Sequence, residues 1–205
     1  MNKQLLVDVR TFDVSRDKID ESIKENNGRL VVKGVLQRAE SKNQNGRVYP
    51  REVLLREVEK YSGTNVKERR ALGELDHPES SVVNLKNASH NILEMHWDGD
   101  DLLGTVEVLS TPAGNILKEL FRSGIKLGIS SRGLGSVEPV NEADGEEDTV
   151  EVQDDFELIA FDFVSNPSTH GAFMRPSSMN ESVGNVSKSA SSKVESIIND
   201  ILRGE

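Results

Sequence analysis

Between residues 30 and 164 the apolar side chains of this sequence fall in short, β-branched runs separated by glycine and acidic turns. Strands can satisfy that pattern and long helices cannot. The run Leu30-Val31-Val32-Lys33-Gly34-Val35-Leu36 reads as a core strand with a bulge at its one glycine. Residues 91–96 and 102–109 flank the polar turn Asp98-Gly99-Asp100-Asp101 and predict a hairpin. Further strand-like stretches cover 125–137 and, after an acidic loop at 141–148, the run up to 164. Two helices interrupt this plan. After the turn Asn43-Gln44-Asn45-Gly46, Pro50 opens a helix over 50–61 whose apolar positions are Val53, Leu54, Val58 and Tyr61, with Gly63 at its natural stop. Thr111 caps the second at Pro112; Ile116, Leu117, Leu120 and Phe121 form its apolar face, and Gly124 closes it. The expected fold class is α+β, a mostly antiparallel sheet or barrel with peripheral helices.

Length and composition narrow the function. A chain of 205 residues suits one domain with a tail. Without cysteine there are no disulfides, no thiolate nucleophile and no cysteine-ligated zinc. A formal charge of −10 opposes nucleic-acid binding, which needs clustered Lys and Arg. No apolar stretch approaches a membrane span and residues 1–10 lack a signal-peptide pattern, so a soluble, unexported protein is expected. Residues 1–29 read as an N-terminal extension, 30–176 as the domain, and 177–193, rich in Ser, Asn, Gly and Lys, as a linker. Val194, Ile197, Ile198, Ile201 and Leu202 then recur at helical spacing, giving an amphipathic helix over 194–205 that either packs back on the domain or docks on a partner.

The chemistry concentrates in two glycine-flanked segments. Gly73-Glu74-Leu75-Asp76-His77-Pro78 places a histidine in a short polar turn rather than on an apolar stripe. Gly128-Ile129-Ser130-Ser131-Arg132-Gly133 ends a strand-like run in two serines. Its glycines let a substrate approach, and its backbone N–H groups are candidates for an oxyanion hole. A serine hydroxyl becomes a nucleophile when an imidazole takes its proton, so the two segments would have to meet in the fold. The ordinary alternatives are a loop histidine and a Gly/Ser turn. The serine segment is not a Gly-x-Ser-x-Gly elbow, because Arg132 stands where the second glycine would fall.

These segments, with Ala39-Glu40, Asn45-Gly46-Arg47-Val48-Tyr49-Pro50 and the continuation Leu134-Gly135-Ser136, resemble the prohead core proteases of T4-like tailed bacteriophages. The resemblance runs from about residue 30 to Pro167 in the same motif order. It implies an assemblin-like fold and a serine endopeptidase. That enzyme would work without a cofactor inside the assembling prohead, cutting scaffold and core proteins and the major capsid protein, with self-association compatible. By position His77 matches the catalytic histidine and Ser130 the nucleophile, ahead of Ser131. Asp162, in Ala160-Phe161-Asp162-Phe163, falls on the strand expected to carry the residue that orients the imidazole, with Asp76 as its rival. Ser131, Arg132 and Gly133 are the expected oxyanion and substrate-binding residues. The family's preference for cleavage after glutamate, with Leu or Ile two residues earlier, recurs within this chain at Ile19-Asp20-Glu21 and Ile23-Lys24-Glu25. Self-cleavage is expected there, and Arg69, Arg70 and Arg132 are candidate partners of a substrate glutamate.

Two rival readings compete. A metal-dependent hydrolase would use His77, His90, Glu94 and His96, although their spacing matches no standard zinc pattern. A non-catalytic assembly module would dock on a scaffold through the 194–205 helix.

Overall fold

The computed structural model describes residues 16–76, 78, 80–140 and 149–177. Its elements run α1 (Arg16–Glu25), β1 (Leu30–Arg38), β2 (Arg47–Val48), α2 (Arg51–Tyr61), β3 (Leu72–Glu74), β4 (Ala88–Asp98), β5 (Asp101–Val108), α3 (Pro112–Arg122), β6 (Gly128–Leu134), β7 (Val137–Pro139), β8 (Val150–Val152), β9 (Glu157–Val164) and β10 (Arg175–Pro176). The predicted hairpin is β4–β5, turning at Gly99 with φ 59°. Its strands are the centre of a five-stranded antiparallel sheet in the order β10-β1-β5-β4-β3.

The sheet does not end at its edges. Strands β6 and β9 form an antiparallel ribbon, and two isolated bridges stitch it on: Leu75, just past β3, pairs with Phe163, while Gly128 pairs with Phe173 on the approach to β10. The sheet thereby closes into a barrel, which covers the edges that would otherwise be left unpaired. Leu30, Val32, Leu36, Ile92, Leu102, Val106, Ile129, Phe161 and Phe163 fill it, with Leu117 and Phe121 of α3 packed against them. A smaller cluster of Ala39, Tyr49, Val53, Leu54, Val152 and Phe156 joins α2 to the side sheet β2-β8-β7. This is the α+β, mostly antiparallel barrel with peripheral helices expected from the sequence.

Four local differences have physical causes. Gly34 is not the bulge; it pairs with Gly104, and a Cβ there would lie 2.6 Å from the Phe173 carbonyl oxygen. The register shift falls instead between Val35 and Gln37. Gly63 does not stop α2, whose chain continues through a π-helical turn over Ser62–Val66, the N–H of Lys67 donating to the Ser62 carbonyl. The strand expected over 125–137 is split into β6 and β7. Finally, the polar stretch before residue 30 carries a helix, α1, whose Ile19 is wholly buried against the barrel. Ser22 Oγ donates to the Ser177 carbonyl 2.7 Å away. The acidic loop 141–148, residues 178–193 of the linker and the 194–205 helix lie outside the described residues.

Candidate active site

Ser130 lies on β6 directly opposite Asp162 on β9, so the two side chains share one face of the ribbon. Arg132, two residues on, shares that face. Its guanidinium grips the Asp162 carboxylate with two bonds, Nε to Oδ2 at 2.7 Å and Nη2 to Oδ1 at 3.2 Å. Asp162 has no solvent exposure, Glu74 1 % and the Arg132 side chain 9 %, so this is a buried ion cluster. Ionised groups persist in such a place only when paired and hydrogen-bonded. Arg132 Nη2 also reaches Glu74 Oε1 at 3.3 Å, and the peptide N–H of Glu74 donates to Asp162 Oδ1 at 3.0 Å.

This cluster reaches both ends of the turn that carries His77. On its N-terminal side Glu74 is bound as above, Leu75 bridges Phe163, and the Asp76 N–H donates to the Phe163 carbonyl at 2.8 Å. Asp76 adopts φ 70°, a left-handed conformation that Asp tolerates. On its C-terminal side Arg132 Nη1 donates to the Ser80 carbonyl, and the Asn84 N–H donates to Glu74 Oε1 at 3.0 Å. Phe163 pairs with Ile129, the neighbour of Ser130. His77 itself lies outside the described residues.

Ser131 points the other way. Its Oγ accepts from Gln37 Nε2 at 2.8 Å, and it hydrogen-bonds Tyr49, whose phenol burial pushes above its usual range. Gly133 is a packing requirement, since a Cβ there would lie 2.4 Å from the Phe156 ring. The side chains of Ser131 and Arg132 are therefore committed to structural partners, which leaves only backbone N–H groups of this segment for an oxyanion. Arg69 pairs with Glu107 and Arg70 with Glu68, so each of the three arginines suggested for a substrate glutamate already holds a carboxylate.

Sequence reasoning missed Ser168. Its hydroxyl lies 2.8 Å from Ser130 Oγ, and Ser130 is 3 % exposed. A serine in an Asn-Pro-Ser-Thr loop, far along the chain from Ser130, carries no periodicity or spacing signal that would have marked it.

The histidines of the metal reading separate. A register shift between Ile92 and Glu94 reverses which face of β4 points inward. His90, opposite Val108, enters the core and is wholly buried. Its Nε2 donates to the Phe161 carbonyl at 2.9 Å and its Nδ1 accepts from Ser89 Oγ at 2.9 Å. Desolvation pushes its pKa down to about 4. His96, opposite Leu103 beyond the shift, looks outward and lines a cavity of about 230 Å³ with Lys33, Val35, Thr105 and Arg175. None of the residues discussed around Ser130 borders that cavity. His90 and His96 cannot share a ligand set, and among the described residues no group of three or more His, Asp or Glu could hold a metal.

A closed antiparallel barrel that sets a nearly buried serine opposite a carboxylate, with the chain on both sides of residue 77 bonded to that carboxylate's cluster, offers groups that hydrolases use. The sequence comparisons go further. The chain belongs to the prohead core protein serine protease family, whose sequence model matches residues 8–184. It is 35 % identical over 156 residues to the prohead core protein protease of Enterobacteria phage T4, covering 75 % of this chain and 71 % of that protein. Its fold is similar to that of the bacteriophage T4 capsid assembly protease gp21, with a TM-score of 0.61 and 33 % identity, covering 65 % of this chain and 80 % of the other.

Proposed function

We propose that the protein is a serine endopeptidase in which Ser130 Oγ attacks the scissile carbonyl while His77 takes its proton. The imidazolium then gives that proton to the leaving amine, and water hydrolyses the acyl-enzyme by the same route. Asp162 orients the imidazole, and backbone N–H groups of the Ser131, Arg132 and Gly133 segment hold the oxyanion. The chemistry needs no cofactor. One observation carries the reading: the face shared by Ser130, Arg132 and Asp162 is bonded to the chain on both sides of His77.

The substrates proposed are the scaffold and core proteins and the capsid protein of the prohead that encloses the enzyme, cut after glutamate in Leu/Ile-x-Glu. Self-cleavage after Glu21 or Glu25 is part of the proposal, with a structural condition. Both residues lie in α1; Ile19, which would have to be read for cleavage after Glu21, is wholly buried, and Ile23, read for cleavage after Glu25, packs against the same core. Helix α1 must therefore undock before the bond is cut. The test is a Leu-x-Glu peptide incubated with wild-type and Ser130→Ala protein, with products mapped by mass. Cleavage after glutamate that vanishes in Ser130→Ala and persists in chelator is expected. Activity that survives Ser130→Ala would overturn the assignment, and absence of cleavage by intact wild-type protein would favour the non-catalytic module.

A further inference from the structure

We propose that Ser168 is a second hydroxyl of the reaction centre, one that fixes Ser130 Oγ for attack. The proposal rests on the reading of Ser130 as the nucleophile.

The 2.8 Å contact between the two hydroxyls is held from several directions. The register shift in β1 turns Gln37 inward, opposite Leu102, where it is 1 % exposed. From there its amide nitrogen donates to Ser131 Oγ at 2.8 Å, and its carbonyl oxygen accepts from Thr169 Oγ1. The Ser168 carbonyl accepts from the N–H of Gln44 at 2.9 Å, in a turn that Asn43 Oδ1 stabilises by accepting from the N–H groups of Asn45 and Arg47. On the other side the Pro167 ring occupies the space where a Cβ on residue 128 would sit, 2.4 Å away. The loop is thus nested against β6 beside the nucleophile. Gln37, a buried polar side chain on a barrel strand, has both ends of its amide used to bind that loop and Ser131.

The chemistry follows from the hydrogen inventory. Each serine hydroxyl donates once. Ser130 must keep its own hydrogen for the imidazole, so the arrangement serves attack with Ser168 as donor and Ser130 Oγ as acceptor. That bond selects one of the staggered Ser130 rotamers, and it offsets the partial charge Oγ carries transiently between losing its proton to the base and bonding the carbonyl carbon, where the lasting charge passes to the substrate oxygen. No proton leaves Ser168; the proton lost from Ser130 passes to the base and then to the leaving amine.

The test compares full-length Ser168→Ala and Ser168→Thr with wild type by peptide cleavage and by fluorophosphonate labelling of Ser130 followed by mass mapping. Ser168→Ala should lower kcat about 10- to 100-fold, the usual scale for a hydrogen bond to a developing charge, with KM little changed and labelling slowed in proportion. Ser168→Thr, which keeps the hydroxyl, should restore both. Wild-type kcat in Ser168→Ala overturns the proposal. So does a loss that Ser168→Thr fails to restore and that tracks a fall in Tm, because the loop would then be only a structural pin. Wild-type protein whose Ser130 takes no label overturns both this proposal and the nucleophile assignment beneath it.

Discussion

At the scale of single residues, Arg132 decides more than any other side chain described here. It neutralises Asp162 and Glu74 where solvent cannot, so its removal leaves uncompensated buried charge. Arg132→Met should destabilise the fold by about 3–5 kcal/mol, read as a lower urea midpoint, whereas a variant as stable as wild type would refute the cluster's role. Arg132→Lys should fall between, because an ammonium cannot reproduce the two-pronged grip on Asp162. His90 gives a pH signature. Its folded pKa of about 4 lies below the ordinary 6.5, so the unfolded chain binds the proton first. The stability tied to neutral His90 is complete above pH 6.5 and is lost as the pH falls toward 4, in total about 3 kcal/mol. Denaturation series across that window should show the decline, and His90→Gln should flatten it. Sequence reasoning placed Ser130 and Asp162 as candidates and left Arg132 as an oxyanion group. Which partner a guanidinium takes depends on what lies across the sheet, and no local pattern records that.

At the scale of elements, the helices and the hairpin were legible because their signals are local. Thr111 caps α3 by accepting from the Gly114 N–H at 3.0 Å, and α2 starts just past Pro50. Helix α1 was not legible: Ile19 and Ile23 are too few apolar positions to mark a stripe, and its stability comes from packing on the barrel. The shifts in β1 and β4 were hidden for a related reason. A strand's inward face depends on its pairing partner, and each shift reverses it, sending Gln37 in and His96 out. Glycines at the strand contacts are sharper markers than turn glycines. A Cβ on residue 128 would meet the Pro167 ring at 2.4 Å and the Ala172 carbonyl oxygen at 2.6 Å. Gly128→Ala should cost about 1–3 kcal/mol and lower peptide cleavage more than that loss explains, since it displaces the Ser168 loop; thermal melts and kcat measured together check both.

At the scale of the whole molecule, closure of the barrel is what brings distant segments to one place. Phe163 sits at the closure: it bridges Leu75, pairs with Ile129, and packs edge-on against His90 and Phe121 with no exposure. Phe163→Ala should cost about 3–5 kcal/mol, and with one shared barrel core the unfolding curves by circular dichroism and by Trp97 fluorescence should coincide, wild type and variant alike. Sequence alone determined the strand-rich plan, the two capped helices and, through its extended motifs, the family, because these are written in residue types at short range. Tertiary structure alone decided that Ser130 faces Asp162 while Ser131 faces Gln37, that Arg132 binds carboxylates, that His90 is sealed in the core, and that Ser168 meets Ser130. Those outcomes depend on register, bulges and closure, which are set by pairing between residues far apart in the chain.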